Sequence, residues 1–155
     1  MTAGLDAAPR SRARRRQDTE HRLAHDVDVW VASASADGAP YLVPLSFDWD
    51  GVALLVATPT DSTTGRNMAA TRTVRLALGH TRDVAMIEGD VIDVLAIDGL
   101  SRERGDRFVA HTGFDPRVLT TQYSWFRIAP RRIQAWREVN EMPGRELMRD
   151  GQWLA

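Results

Sequence analysis

Two Asp-Gly pairs, Asp37-Gly38 and Asp50-Gly51, constrain this chain more than any other feature. Asp-Gly between alternating segments is a strong hairpin signal, because tight hairpin turns need residues that tolerate positive φ. The flanking residues do alternate. Val27, Val29 and Val31 alternate with Asp28, Trp30 and Ala32. From Pro40 to Trp49, Tyr41, Val43, Leu45, Phe47 and Trp49 share one face, and Leu42, Pro44, Ser46 and Asp48 share the other. Val52–Thr58 is apolar on both faces, which predicts a central strand. Three strands joined by two such turns make an antiparallel meander. Pro44 is the irregularity in it, since proline removes a ladder donor. It marks a barrel rim or bulge, or a backbone faced by something other than a strand, such as a planar ligand.

The pattern continues with a helix at about Ser62–Thr71 and strands over Thr73–Gly79 and Val84–Ala96, separated by His80–Asp83. A helix over Ser101–His111 follows, with Ser101 as N-cap. Two strands, Tyr123–Ile128 and Arg132–Arg137, flank Ala129-Pro130, and Glu141–Ala155 is rich in turns. Ser11–His25 reads as a helix behind a disordered leader over residues 1–10. The expected fold is mainly β with short helices, a six- or seven-stranded antiparallel barrel in one domain over 11–155.

A chain of 155 residues, 43% hydrophobic, is long enough for one domain with a real core. A net charge of −1 gives no general case for nucleic acid. Arg10, Arg12, Arg14, Arg15 and Arg16 could touch nucleic acid or an acidic surface, but a solvated helix face is the expected reading, because no aromatic residues interleave with them. Cysteine is absent, which excludes disulfides, a thiol nucleophile and thiolate metal sites. All 20 basic residues are arginine. That excludes a Schiff-base lysine, with the usual pyridoxal-phosphate chemistry, and a P-loop. No apolar run approaches the ~20 residues that span a bilayer, and no apolar segment follows the N-terminal arginines. A cytoplasmic location is expected.

The densest candidate site is Thr58-Pro-Thr-Asp-Ser-Thr-Thr-Gly-Arg-Asn67, where a strand runs into a helix. Free N–H groups at a helix start attract anions, and Arg66 could add a planar fork for phosphate oxygens. Ser62 fits an ordinary N-cap equally well. A second cluster, Trp125, Trp136, Arg137, Asn140, Arg145 and Trp153, could stack a flat ligand or form a dimer core. Glu88 and Asp90 share one face of a strand, suited to acid–base work or to plain solvation. His21 and His25 stand at i,i+4 with no third ligand, so no metal site is expected, and no hydrolytic constellation emerges.

The order of these elements resembles the flavin-binding split-barrel superfamily, the pyridoxamine 5′-phosphate oxidase-like proteins and their deazaflavin-dependent relatives. The resemblance runs from about Val27 to Trp153, carried by "DGAPYLVPLSFDWDG", "LLVATPTDSTTGRNMAATRTVRLAL", "VAMIEGDVIDV" and "FRIAPRRIQAWREVNEMPGRELMRDGQW". It implies a split β-barrel of the FMN-binding type. Val43, Pro44, Leu45 and Ser46 would lie along the isoalloxazine ring, continued by Ala57 and Thr58. Ser62, Thr63 and Thr64 would hold the phosphate, with Arg66 and Asn67 on the same loop and helix. Asp83 falls where relatives place a polar residue near the ring or ribityl chain. Trp136 and Arg145 fall where relatives supply contacts from the partner subunit, which implies a homodimer with shared sites.

Two departures from the family pattern stand out. Relatives often carry a basic pair in the phosphate loop, where this chain has Thr63-Thr64. True pyridoxamine-phosphate oxidases carry Arg-x-His in the tail, where this chain has Glu141-Met142-Pro143. The expected function is an oxidoreductase acting on a small organic molecule by hydride transfer, with FMN or a deazaflavin coenzyme, and not vitamin B6 oxidation. A flavin-holding or regulatory dimer without turnover is the alternative. Quinones, nitro compounds, enones and tetrapyrroles all stay open as substrates, and no side chain is assigned a catalytic role.

Overall fold

The computed structural model describes residues 7–155. Its strands are β1 (Asp28–Ala34), β2 (Pro40–Trp49), β3 (Leu54–Pro59), β4 (Thr73–His80), β5 (Asp83–Ala96), β6 (Tyr123–Trp136), β7 (Glu146–Arg149) and β8 (Gln152–Trp153). They form one antiparallel sheet in the order β3-β2-β1-β4-β5-β6-β7-β8, and a further β3–β6 pairing closes the first six into a barrel. The mainly β antiparallel barrel is therefore the fold, with β7 and β8 as two short outer strands.

The helices are α1 (Arg12–His25), α2 (Thr63–Thr71) and α3 (Arg102–Thr112). Leu23 of α1 and Met68 of α2 reach the main core, where Val31, Phe47, Leu54, Val56, Leu78 and Ile128 are fully buried. α3 covers the outside of β3 and β6 over a second cluster, with Phe108 edge-on to Trp125 at 5.1 Å. Arg104 bolts α3 to β2 through the buried Asp48 carboxylate at 2.6 Å. Among the described residues, no helix is long and apolar enough to cross a membrane.

Three sequence expectations change. The third strand starts at Leu54 rather than Val52, because the Asp50 carboxylate accepts the N–H groups of Val52 and Ala53 and prolongs the turn. The two late strands are one, β6, running through Pro130. A register shift beside Gly89, the residue opposite, accommodates the missing N–H.

The N-terminal arginines are the third. Residues 1–6 of the expected leader lie outside the described residues, but Arg10 at its end grips the Glu141 carboxylate. Arg15 is 5% exposed and donates to main-chain carbonyls of the tail. Arg16 lies over the Trp153 ring at 4.9 Å. The cluster is divided between core and surface, not spread along one solvated face.

Candidate functional site

β2 and β3 pair only over Phe47–Trp49 and Leu54–Val56, whereas β2 pairs with β1 from Ser46 to Pro40. The barrel wall is therefore split between the free part of β2 and the end of β3. In an antiparallel ladder, consecutive residues turn their N–H and C=O alternately to the two neighbours. Phe47 N–H donates to Val27 O on the β1 side, so Val43 and Leu45 also face β1. The backbone groups of Leu42 and Pro44 then point into the split, and Ser46 and Ala57 stand at its apex. Pro44 thus costs no ladder bond: its nitrogen faces the side that β3 has left. Among the described residues, no side chain or loop is hydrogen-bonded to the Leu42 or Pro44 backbone.

The start of α2 borders the same split. Ser62 is a true N-cap: its hydroxyl accepts from Gly65 N–H at 3.0 Å and donates to Pro59 O at 2.7 Å, with Thr58 Oγ1 at 3.2 Å. Gly65 is required by crowding, since a Cβ there would lie 2.4 Å from Pro59 O. Thr64 is buried, at 2% exposure, so Thr63 carries the more accessible hydroxyl of the pair. Among the described residues, the N–H groups of Thr63 and Thr64 make no hydrogen bond. Arg66 is exposed and spends one nitrogen on Asp61 O at 2.6 Å. Asn67 is turned inward, donating to the Ser33 hydroxyl on β1. The free part of β2 with Val43, Pro44, Leu45 and Ser46, the end of β3 with Ala57 and Thr58, and the start of α2 with Ser62, Thr63, Thr64, Arg66 and Asn67 are thus neighbouring stretches of the fold, although Asn67 itself turns inward to β1.

Asp83, Trp136 and Arg145 belong elsewhere within a single chain. The Asp83 carboxylate meets Arg22 at 2.8 Å and Arg137 at 3.2 Å, in an ionic cluster beneath α1. Trp136 pairs with Val84 of β5 near the end of β6, beyond the stretch of β6 that pairs with β3. Arg145 donates to Met142 O at 3.0 Å and, among the described residues, pairs with no carboxylate. Glu141 is buried against Arg10, whose hydrogen bonds hold its carboxyl at about 2 despite the cost of desolvation.

Sequence reasoning missed the outer face of the barrel. Register places Leu42, Ala32 and Arg75 in one row across β2, β1 and β4, and Pro44, Trp30, Ala77 and Met86 in the next. Trp30 is 48% and Leu42 60% exposed, on a wall that water would normally keep polar. A groove of about 530 Å³ runs between Trp30, Leu42, Ala77, Val84 and Met86. The available signal was apolar residues, Leu42 and Trp30, on the face opposite the core-facing valines. Glu88 and Asp90 are neither free nor a proton-transfer pair. Burial opposes the charge on Glu88, but Arg132, Arg75 and Arg131 around it hold its carboxyl below the usual range, and Arg131 also takes Asp90. His21 and His25 stack on each other at 4.1 Å, and no group of metal-binding side chains forms among the described residues.

Comparison with known proteins fits this geometry. Residues 20–137 match the family described as pyridoxamine 5′-phosphate oxidase. No curated protein matches at a significant level. Among solved structures, one described as F420 reductase is 18% identical with a TM-score of 0.60, covering 74% of this chain and 94% of its own. HupZ from Group A Streptococcus is 17% identical with a TM-score of 0.59, covering 79% and 94%. A Clostridium acetobutylicum protein related to general stress protein 26 of B. subtilis, of the pyridoxinephosphate oxidase family, is 12% identical with a TM-score of 0.58, covering 84% and 92%. At these identities the likeness is one of fold.

Proposed function

The chain belongs to the pyridoxamine 5′-phosphate oxidase family, and on that premise we propose that it is a cytoplasmic, homodimeric oxidoreductase holding FMN, or alternatively a deazaflavin coenzyme, in the split between β2 and β3. The observation that carries this reading is the coincidence at one opening of an unpaired strand edge and a helix start with free N–H groups. The edge of a flavin ring carries both donors and acceptors, and the free backbone of β2 offers the Leu42 N–H as a donor and the Leu42 and Pro44 carbonyls as acceptors, with no donor at Pro44. The phosphate would take the N–H groups of Thr63 and Thr64, the Thr63 hydroxyl and the Arg66 guanidinium. These neutral donors and one cation replace the basic pair common in relatives.

When bound, a flavin-type ring supplies the hydride chemistry, so no acid–base side chain is obligatory. The chain's own work is to orient the ring along β2, anchor its phosphate and exclude water. The apolar outer face around Trp30, Leu42 and Met86 supports a second copy as its occupant, because exposed patches of this kind mark interaction sites. Docking through that face would let Trp136 and Arg145 of each copy complete the other's site. Pyridoxamine 5′-phosphate is not the substrate in this reading, since Glu141 stands in the Arg-x-His segment and is spent on Arg10. Mass spectrometry of the ligand released from purified protein tests the proposal. FMN or a deazaflavin is expected, and a protein that neither carries nor takes up either coenzyme refutes it. Bleaching by a reductant and reoxidation by an acceptor would separate turnover from mere holding.

A further inference from the structure

Between Trp136 and Arg145 the chain makes a short loop that is built around α1 and the residues just before it. The Arg15 guanidinium, 5% exposed, donates to the main-chain oxygens of Ala135 at 3.2 Å, Glu141 at 2.8 Å and Pro143 at 3.1 Å. Arg10 grips the Glu141 carboxylate with Nε at 2.9 Å and Nη2 at 2.7 Å, and its N–H donates to the same group at 3.0 Å. Glu141, 3% exposed, also accepts from Arg137 N–H at 2.9 Å. Asn140 reaches back to Ala7 O at 2.8 Å. The loop returns through Gly144, at φ 70°, to the backbone bond from Ala135 N–H to Arg145 O at 2.9 Å.

A buried guanidinium spanning three carbonyls fixes their mutual positions, because its donors lie in one rigid fork. A bidentate pair with a buried carboxylate adds a second fixed point. Both points lie within a few residues of Arg145, whose own guanidinium is held, among the described residues, by Met142 O.

We propose that the N-terminal segment is a strap, with Arg10 and Arg15 as positioning residues that aim Arg145 at the cofactor phosphate or ribityl end. The proposal rests on Arg145 serving the cofactor site. The strap touches no cofactor; it acts by holding the loop that does. Its loss therefore leaves the barrel closed and the phosphate loop of α2 intact, but frees Arg145 to point elsewhere.

Two readouts on the full chain separate the strap from the site. Hydrogen exchange without cofactor reports the strap alone. Arg10→Gln should speed exchange of the Ala135, Arg137 and Met142 amides about tenfold or more, with β4 and β5 amides unchanged. Equal exchange in parent and variant overturns the strap. FMN titration reports the link to the site. Arg145→Ala, Arg10→Gln and Arg15→Met should each weaken FMN about fivefold or more, while adding either strap variant to Arg145→Ala should change it less than about twofold. Additive losses would mean that the strap acts through general stability, and overturn it as a positioning device. Unchanged FMN binding in Arg145→Ala would instead remove Arg145 from the site, with the exchange result standing on its own. If Arg15→Met fails to fold, Arg10→Gln, at the better hydrated end, decides both readouts.

Discussion

Asn67 on α2 donates to the hydroxyl of Ser33 on β1 at 3.1 Å, and both residues are buried. The bond ties the helix that borders the split to the strand behind the split. Beside it Met68 is fully buried in the barrel core. The helix start is thereby fixed relative to the free edge of β2, as a shared binding site requires.

Asn67→Ala should lower stability by about 1–3 kcal/mol, because it leaves the buried Ser33 hydroxyl without its partner. In a chain of this size that corresponds to a fall in Tm of about 2–4 °C per kcal/mol. Thermal unfolding followed by circular dichroism measures it. An unchanged Tm would show that α2 is held by packing alone.

Gly65→Ala sets two effects against each other. Alanine is favoured over glycine in a helix by about 1 kcal/mol. Its Cβ would meet Pro59 O at 2.4 Å and Thr60 O at 3.0 Å, both backbone atoms that cannot rotate away. Overpacking of this kind costs about 1–3 kcal/mol. Net destabilisation is expected in denaturant titration, and a stabilised variant would contradict the tight turn at the helix start.

Arg66→Ala should weaken FMN or deazaflavin binding roughly 10- to 100-fold, the value of a lost charge-assisted bond. Arg66 is exposed and, among the described residues, its guanidinium bonds just to Asp61 O, so the Tm without cofactor should hardly move. Fluorescence titration reads the first effect and calorimetry the second. Equal affinity in parent and variant would remove Arg66 from the phosphate site.

The Arg10–Glu141 pair predicts a particular acid sensitivity. Glu141 is lowered from 4.5 to about 2 in the fold, chiefly by its hydrogen bonds from Arg10. A depressed carboxyl contributes stability that is complete above its unfolded value and is lost as pH falls through its folded value. That contribution should therefore fade between about pH 4.5 and 2. Glu141→Gln should be less stable than the parent at pH 7, and the gap should narrow across that window. Unfolding curves at a series of pH values test this, and a gap constant with pH would contradict the pairing.

The barrel was legible because it rests on local signals. Asp37-Gly38 and Asp50-Gly51 set two turns, and the alternation in β1 and β2 chose the core-facing side. Pro44 was legible as an anomaly, but its cause was not. Whether a strand edge is free depends on where β3 diverges, and that is decided by β6 claiming β3 along its whole length. Pro130 misled for the opposite reason, since a register shift beside Gly89 lets β6 continue. The fates of Arg10 and Arg15 were hidden because their partners, Glu141 and the carbonyls around it, lie more than a hundred residues away. The start of α2 was legible because Ser62 caps the helix within its own loop, so that the signal is local.

The most direct test of a flavin site shared between two copies is a mixed dimer of one Arg66→Ala subunit and one Arg145→Ala subunit, titrated with FMN. If each site joins α2 of one chain to the tail of the other, one site in that dimer is intact and one is doubly damaged. Half of the sites should then bind as in the parent. If each site were built within a single chain, both would be damaged, and the titration would show no parent-like site at all.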